Sequence, residues 1–155
     1  MQILIDADAC PRDCLDIVDR QCGAWSGAVM TVSSHHHNLE RPNHIITADG
    51  PDAVDWEIAS RATAGDLVIT QDSGLAALAL AKNADALNPM GFFYSEESIT
   101  AVLEERALKA RYRRSGGRTK GPRRRTVQDN RRFARALESW LGHPNRRQWI
   151  QADER

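Results

Sequence analysis

Apolar positions fall in short blocks that alternate between continuous runs and helical spacing, with turn residues between them. Ile3, Leu4 and Ile5 form a run short enough to be one buried strand. After Pro11, Leu15, Ile17, Val18 and Cys22 recur at helical spacing, which predicts a helix over about 11–22 closed by Gly23. Residues 28–32 and 44–47 read as a second and third strand, the latter running into the turn Asp49-Gly50-Pro51-Asp52. A second helix follows, with Val54, Ile58 and Ala59 as its buried face and with Asp52 and Asp55 in its first turn. Gly65-Asp66 then leads into a strand of four to five residues that delivers Thr70 and Asp72 at its exit. An Ala/Leu-rich helix is expected over about 75–82, and a fifth, shorter strand over 84–88 is stopped by Pro89. Ser95 caps a helix reaching about residue 112, with Ile99, Val102 and Leu103 on one side. Residues 113–125 contain nothing apolar to bury and read as a mobile basic loop. Thr126 and Asp129 cap a last helix over about 127–141, whose stripe of Phe133, Leu137 and Leu141 is expected to dock on the body.

The order β-α-β-β-α-β-α-β-α-α predicts a three-layer α/β/α sandwich with a mostly parallel sheet. The chain of 155 residues suits a single domain over 1–155. In open sheets of this kind the site lies beyond the carboxyl ends of the strands. The opening string Asp6-Ala7-Asp8-Ala9-Cys10-Pro11 has that form, an apolar strand running into acids and then a helix, and Thr70 to Ser73 repeats it. If strand geometry persists, Asp6 and Asp8 leave the backbone on the same side. One such acid is accounted for as a helix cap; capping does not account for two.

Charge changes the picture more than composition does. The formal net charge is zero, yet residues 1–105 carry 5 Lys/Arg against 17 Asp/Glu, and residues 106–147 carry 15 against 2. An acidic body with a basic end points to a polyanionic partner for the basic part, nucleic acid above all. Arg113, Arg114, Arg118, Lys120, Arg123, Arg124 and Arg125 are the expected phosphate contacts. No apolar run approaches membrane-spanning length, and the N-terminus lacks the pattern of a signal peptide, so a cytoplasmic protein without membrane contact is expected. Cys10, Cys14 and Cys22 are expected to be reduced thiols, lacking a second pair at zinc spacing. His35, His36 and His37 read as a solvated loop, since neighbours on an extended segment do not converge on one ion. The oligomeric state stays open.

Asp6, Asp8, Asp52, Asp55 and Asp72 come from three separated segments that this topology brings to one edge. That many carboxylates in a crevice repel one another, and a cation resolves the repulsion; all-oxygen ligands select Mg or Mn. Such an ion orients phosphate and activates water for phosphodiester hydrolysis, with Thr70 or Ser73 positioning a phosphate or water. Asp6, Asp8, Asp72 and Asp55 are therefore the expected metal ligands, and the expected activity is that of a nuclease on RNA or other single-stranded nucleic acid.

The strings Asp6-Ala7-Asp8-Ala9-Cys10-Pro11, Gly50-Pro51-Asp52-Ala53-Val54-Asp55, residues 65–72 with Leu75-Ala76, and Leu87-Asn88-Pro89-Met90-Gly91 closely resemble the motifs of the YaiI/YqxD family of bacterial proteins, whose function is unassigned. The resemblance covers about residues 2–141. It implies a fold like that of PIN-domain nucleases, with an acidic metal centre to which the five aspartates are the matching residues. Two rivals remain. A phosphatase of the haloacid dehalogenase type would use Asp6 as nucleophile, Asp8 as general acid and Thr70 as a hydroxyl, but Cys10 replaces the usual Thr or Val there and Lys82 sits at the wrong end of its helix. A non-catalytic RNA-binding module would need only the basic end.

Overall fold

The computed structural model describes residues 1–35 and 39–143. Strand β1 (Gln2–Asp6) lies at the centre of a five-stranded parallel sheet, between β2 (Ala28–Ser33) and β4 (Leu67–Ile69). β3 (His44–Ile46) and β5 (Asp85–Leu87) form the two edges, so the order is β3-β2-β1-β4-β5. The chain builds outward from β1 to β3, then returns to lay β4 on the other side of β1. The strand order thus reverses between β1 and β4, where an open sheet leaves its crevice.

Alternation along the central strands sorts the core into two layers. Ile3, Ile5, Leu67 and Ile69 point to the face covered by helices α1 (Arg12–Cys22) and α5 (Val127–Gly142), where Phe133, Leu137 and Trp140 are fully buried. Leu4 and Val68 point to the other face, covered by α2 (Ala53–Arg61), α3 (Ser73–Ala81) and the start of α4 (Glu96–Arg114). The three-layer α/β/α sandwich is the architecture expected from the element order.

Several local expectations need correction. β4 has three residues rather than four or five, because its chain turns at Thr70. In α4 only Ile99 is buried, and Leu103 is exposed, since the body beneath the helix ends after its first turns. Arg113 and Arg114 belong to α4 rather than to a loop. The end of the basic segment is tethered: Arg123 forms paired hydrogen bonds with the Asp129 carboxylate at 2.7 and 2.8 Å, and Arg125 donates to Pro89 O at 2.7 Å, Asn130 Oδ1 at 2.6 Å and Cys14 Sγ at 3.0 Å. Asp129 also belongs to a capping box with Thr126, so one buried carboxylate both starts α5 and holds Arg123. The Arg123 guanidinium, with help from the Thr126 hydrogen bonds, holds the Asp129 carboxyl well below the usual range.

Gly91 shows how closely α5 docks. Its φ is +91°, and a Cβ there would lie 2.5 Å from the Arg132 carbonyl carbon and 2.6 Å from the Phe133 nitrogen. The backbone of α5 cannot retreat without leaving the core. Gly91→Ala is expected to cost about 2–4 kcal/mol, combining a left-handed residue with overpacking against main chain. Urea unfolding of the two proteins measures it.

Candidate metal centre

Asp6 is the last residue of β1 and is almost enclosed. Thr70, one residue past β4 and fully buried, donates its hydroxyl to Asp6 Oδ2 at 3.0 Å and accepts the Asp72 N–H at 2.9 Å. One threonine therefore bridges the acids of two adjacent strands across the switch point. The Thr70 carbonyl in turn accepts the Tyr94 hydroxyl at 3.2 Å, and Tyr94 accepts from Asn88 Nδ2 at 2.7 Å, so the bridge is held from behind by a buried network. The sequence assigns Tyr94 and Asn88 no chemical role: Asn88 stands in the string Leu87-Asn88-Pro89-Met90-Gly91, and Tyr94 carries no signal beyond its place after β5.

Asp72 caps α3, accepting the Gly74 and Leu75 N–H groups at 2.7 and 3.2 Å through Oδ1. The cap weighed for Asp6 or Asp8 is made by neither, and falls to Asp72, which engages a single carboxylate oxygen in it. Asp8 does not continue the strand: residues Ala7–Ala9 form a 3-10 turn, which swings Asp8 outward, where its carboxylate accepts the Ser34 N–H at 3.0 and 3.2 Å. Asp52 precedes α2 in a left-handed conformation, φ 61°, and makes no cap hydrogen bond with its side chain. It stands one residue before the helix rather than inside its first turn, and still lines one cleft with Asp55. A non-glycine residue held at positive φ beside a crevice is strain of the kind that functional sites store.

A cleft of about 340 Å³ opens beside them, lined by Asp6, Asp8, Asp52 and Asp55 together with Asp49 and His35; Thr70, Asp72 and Ser73 are not in its lining. Asp49 extends the acidic set, and His35 is its partner. Asp49 Oδ1 meets His35 Nδ1 at 2.5 Å. The sequence placed Asp49 in a turn by its Gly-Pro neighbours and gave no sign that it faces the site. His36 and His37 lie outside the described residues. Ser73 is buried and receives Arg106 Nη1 at 3.0 Å, which draws α4 alongside the start of α3.

Electrostatics tie the acids into one group. Burial raises the Asp6 carboxyl, and the nearby charges of Asp8 and Asp72 raise it further, against the hydrogen bond from Thr70. Asp55 is pushed up to about 6, first by burial and then by Asp72, Asp6 and Asp52. Among the described residues no Lys, Arg or His side chain pairs with Asp6, Asp52, Asp55 or Asp72.

The donor set is all oxygen and hard, which fits Mg or Mn. Among the described residues no three His, Cys, Asp or Glu side chains are already drawn to the spacing of a ligand set. Asp6, Asp8 and Asp72 each accept a hydrogen bond from the protein.

A pH dependence follows. Between the ordinary carboxyl value of 3.8 and about 6, the folded protein holds a proton on Asp55 that the unfolded chain has lost. Metal-free stability should therefore fall as pH rises through this window and level off above it. Asp55→Asn removes the effect and is expected to stabilise the metal-free protein at pH 7.5 by about 1 kcal/mol after allowance for solvent screening, with no gain at pH 3.5. Metal binding must displace that proton, so affinity for Mn should be weaker at pH 5 than at pH 7.5. Urea unfolding and calorimetric titration at the two pH values read both effects.

The comparisons with known proteins agree with the motif resemblance. The model of the "Uncharacterized BCR, YaiI/YqxD family" matches residues 4–143. A UPF0178 protein of Heliobacterium modesticaldum is 44% identical over 141 residues, covering 91% of this chain and 97% of that protein. A UPF0178 protein of Oceanobacillus iheyensis is 43% identical over 138 residues, covering 86% and 93%. No solved structure matches the chain.

Proposed function

The chain belongs to the YaiI/YqxD family, and from its acidic crevice we propose a cytoplasmic, Mg- or Mn-dependent nuclease that hydrolyses phosphodiester bonds in single-stranded nucleic acid, RNA foremost. The observation that carries this reading is the Asp6–Thr70–Asp72 bridge at the switch point, with Asp55 raised by the charges of Asp72 and Asp6 and, among the described residues, no Lys or Arg paired with Asp6, Asp55 or Asp72. Asp6, Asp8, Asp55 and Asp72 would hold the ion, which supplies charge neutralisation, phosphate orientation and an acidified water. Thr70 is a positioning residue: its hydroxyl fixes the Asp6 carboxylate and the backbone of Asp72 at once.

The basic end supplies phosphate contacts from a narrower set than its composition suggests. Arg123 and Arg125 are engaged within the protein, whereas Arg113, Arg114, Arg118, Lys120 and Arg124 are exposed. Arg106 ties α4 to Ser73, the neighbour of Asp72, so the charged helix leads away from the crevice over about 12 Å to Arg114. That placement favours contact with a strand on either side of the cleavage point. Among the described residues, no helix is long and apolar enough to cross a membrane.

The test incubates pure protein with labelled single-stranded RNA, single-stranded DNA and p-nitrophenyl phosphate, with Mn and with chelator. Cleavage of RNA or DNA in Mn, abolished by chelator and without turnover of the monoester, is the expected result. Turnover of the monoester would favour the phosphatase, and salt-sensitive binding without cleavage would favour the RNA-binding module.

A further inference from the structure

A second cleft of about 520 Å³ lies between the edge strand β3 and the start of α2, lined by Ile45, Ile46, Trp56, Glu57 and Ser60. It is continuous with the acidic cleft, because Thr47, Ala48 and Ala53 line both. Its main feature is Trp56, a residue with 73% of its surface exposed, directly following Asp55 in the first turns of α2. Trp25 and Trp140 pack edge to face, Trp140 fully buried, so the exposure of Trp56 is not a general property of tryptophan in this chain. An indole left in water beside half-exposed Ile46 is surface without a partner of its own.

We infer that this groove is a stacking site for an unpaired nucleobase, held on the Trp56 ring while the adjoining phosphodiester lies in the acidic crevice. Three features select that occupant. Ile45, Ile46, Ala53 and the Trp56 ring give the groove a largely apolar lining, which suits a base rather than a sugar-phosphate. Its charged neighbours decide against phosphate: Glu57 is acidic, and the nearest cation, Arg61, is already paired with it. The lining shared through Thr47, Ala48 and Ala53 then puts this site beside the acidic crevice, within reach of a strand bound there. Single-stranded substrate is required, because a base within a duplex has no face free to stack. The inference rests on the nuclease reading above and adds to it the residue that holds the substrate by its base.

The experiment compares parent, Trp56→Phe and Trp56→Ala proteins in binding a short single-stranded oligonucleotide and the same backbone built of abasic units, followed by titration of tryptophan fluorescence and by cleavage in Mn. Trp56 is exposed, so equal melting temperatures of the three proteins are expected and are checked first. Stacking predicts emission quenched by the oligonucleotide in the parent, with that component missing in Trp56→Phe. It also predicts affinity lowered about 5- to 150-fold in Trp56→Ala, largely kept in Trp56→Phe, and no effect of either substitution on the abasic strand. Parent and Trp56→Ala cleaving and binding the oligonucleotide equally well would overturn the stacking site while leaving the nuclease standing. Quenching and base-dependent binding without cleavage in Mn would keep the stacking site and remove the nuclease. Emission from Trp56 that no oligonucleotide changes would overturn the inference and turn attention to a protein strand along the open edge of β3.

Discussion

Replacing Asp6 by Asn is expected to lower metal-dependent cleavage by at least about 100- to 1,000-fold, the loss typical when a group stabilising transition-state charge is removed. The substitution keeps the volume of an almost enclosed side chain and keeps an acceptor for the Thr70 hydroxyl, so the fold should survive. Burial and the charges of Asp8 and Asp72 disfavour the ionised Asp6 carboxylate, and the neutral amide escapes that cost. The variant should therefore melt higher than the parent without metal, and the order should reverse with Mn, because only the parent gains by mass action. Nucleic-acid binding should be kept or slightly strengthened, since one negative charge has left a crevice that repels phosphate. Thermal melts with and without Mn, beside a cleavage time course, separate these effects. Equal cleavage by both proteins would reveal a contaminant, and a phosphoaspartate on the parent that Asp6→Asn lacks would point to the phosphatase chemistry.

The largest structural effect is expected at the other end of the chain. Trp140 is fully buried, packs edge to face on Trp25 at 5.8 Å, and donates its indole N–H to the buried Asp85 carboxylate at 2.9 Å. Trp140→Ala removes the largest fully buried side chain of the α1/α5 layer and is expected to cost about 3–5 kcal/mol. Trp140→Phe restores most of the apolar area but takes the donor from Asp85, and should cost less, about 1–3 kcal/mol. Because α5 carries Asp129 and Asn130, loosening it should also free Arg123 and Arg125. Urea unfolding gives the stability difference, and a steeper salt dependence of RNA binding in Trp140→Ala would report the released arginines.

How far the sequence reached depends on how local the determining physics is. The strand-acid-helix pattern made Asp6 and Asp72 legible, because a short apolar run followed by an acid fixes which end of a parallel strand carries the site. The same rule explains Asp66 and Asp85, buried acids at the opposite ends of β4 and β5: Asp66 holds Gln2 and Thr63, and Asp85 holds Trp140. The stripe of α5 was legible from Phe133 and Leu137. Trp140 lies on that stripe by spacing, yet its partners Trp25 and Asp85 are distant in sequence. Asp8 was misplaced because nothing in the string distinguishes a continuing strand from a 3-10 turn, and Asp52 because nothing distinguishes the first helical turn from a left-handed residue before it. Internal pairing of the arginines could be weighed from the sequence, but not assigned to Arg123 and Arg125. A basic run reads as solvated until the position of Asp129, Pro89 and Cys14 around it is known.

The acidic metal centre is tested most directly by locating the ion. Crystals of the protein soaked in millimolar Mn should show an anomalous scattering peak in the crevice, ligated by Asp6 and Asp72 with Asp8 or Asp55 turned inward, and absent from Asp6→Asn crystals. A crevice left empty at that concentration, or a Mn site away from Asp6 and Asp72, would contradict it.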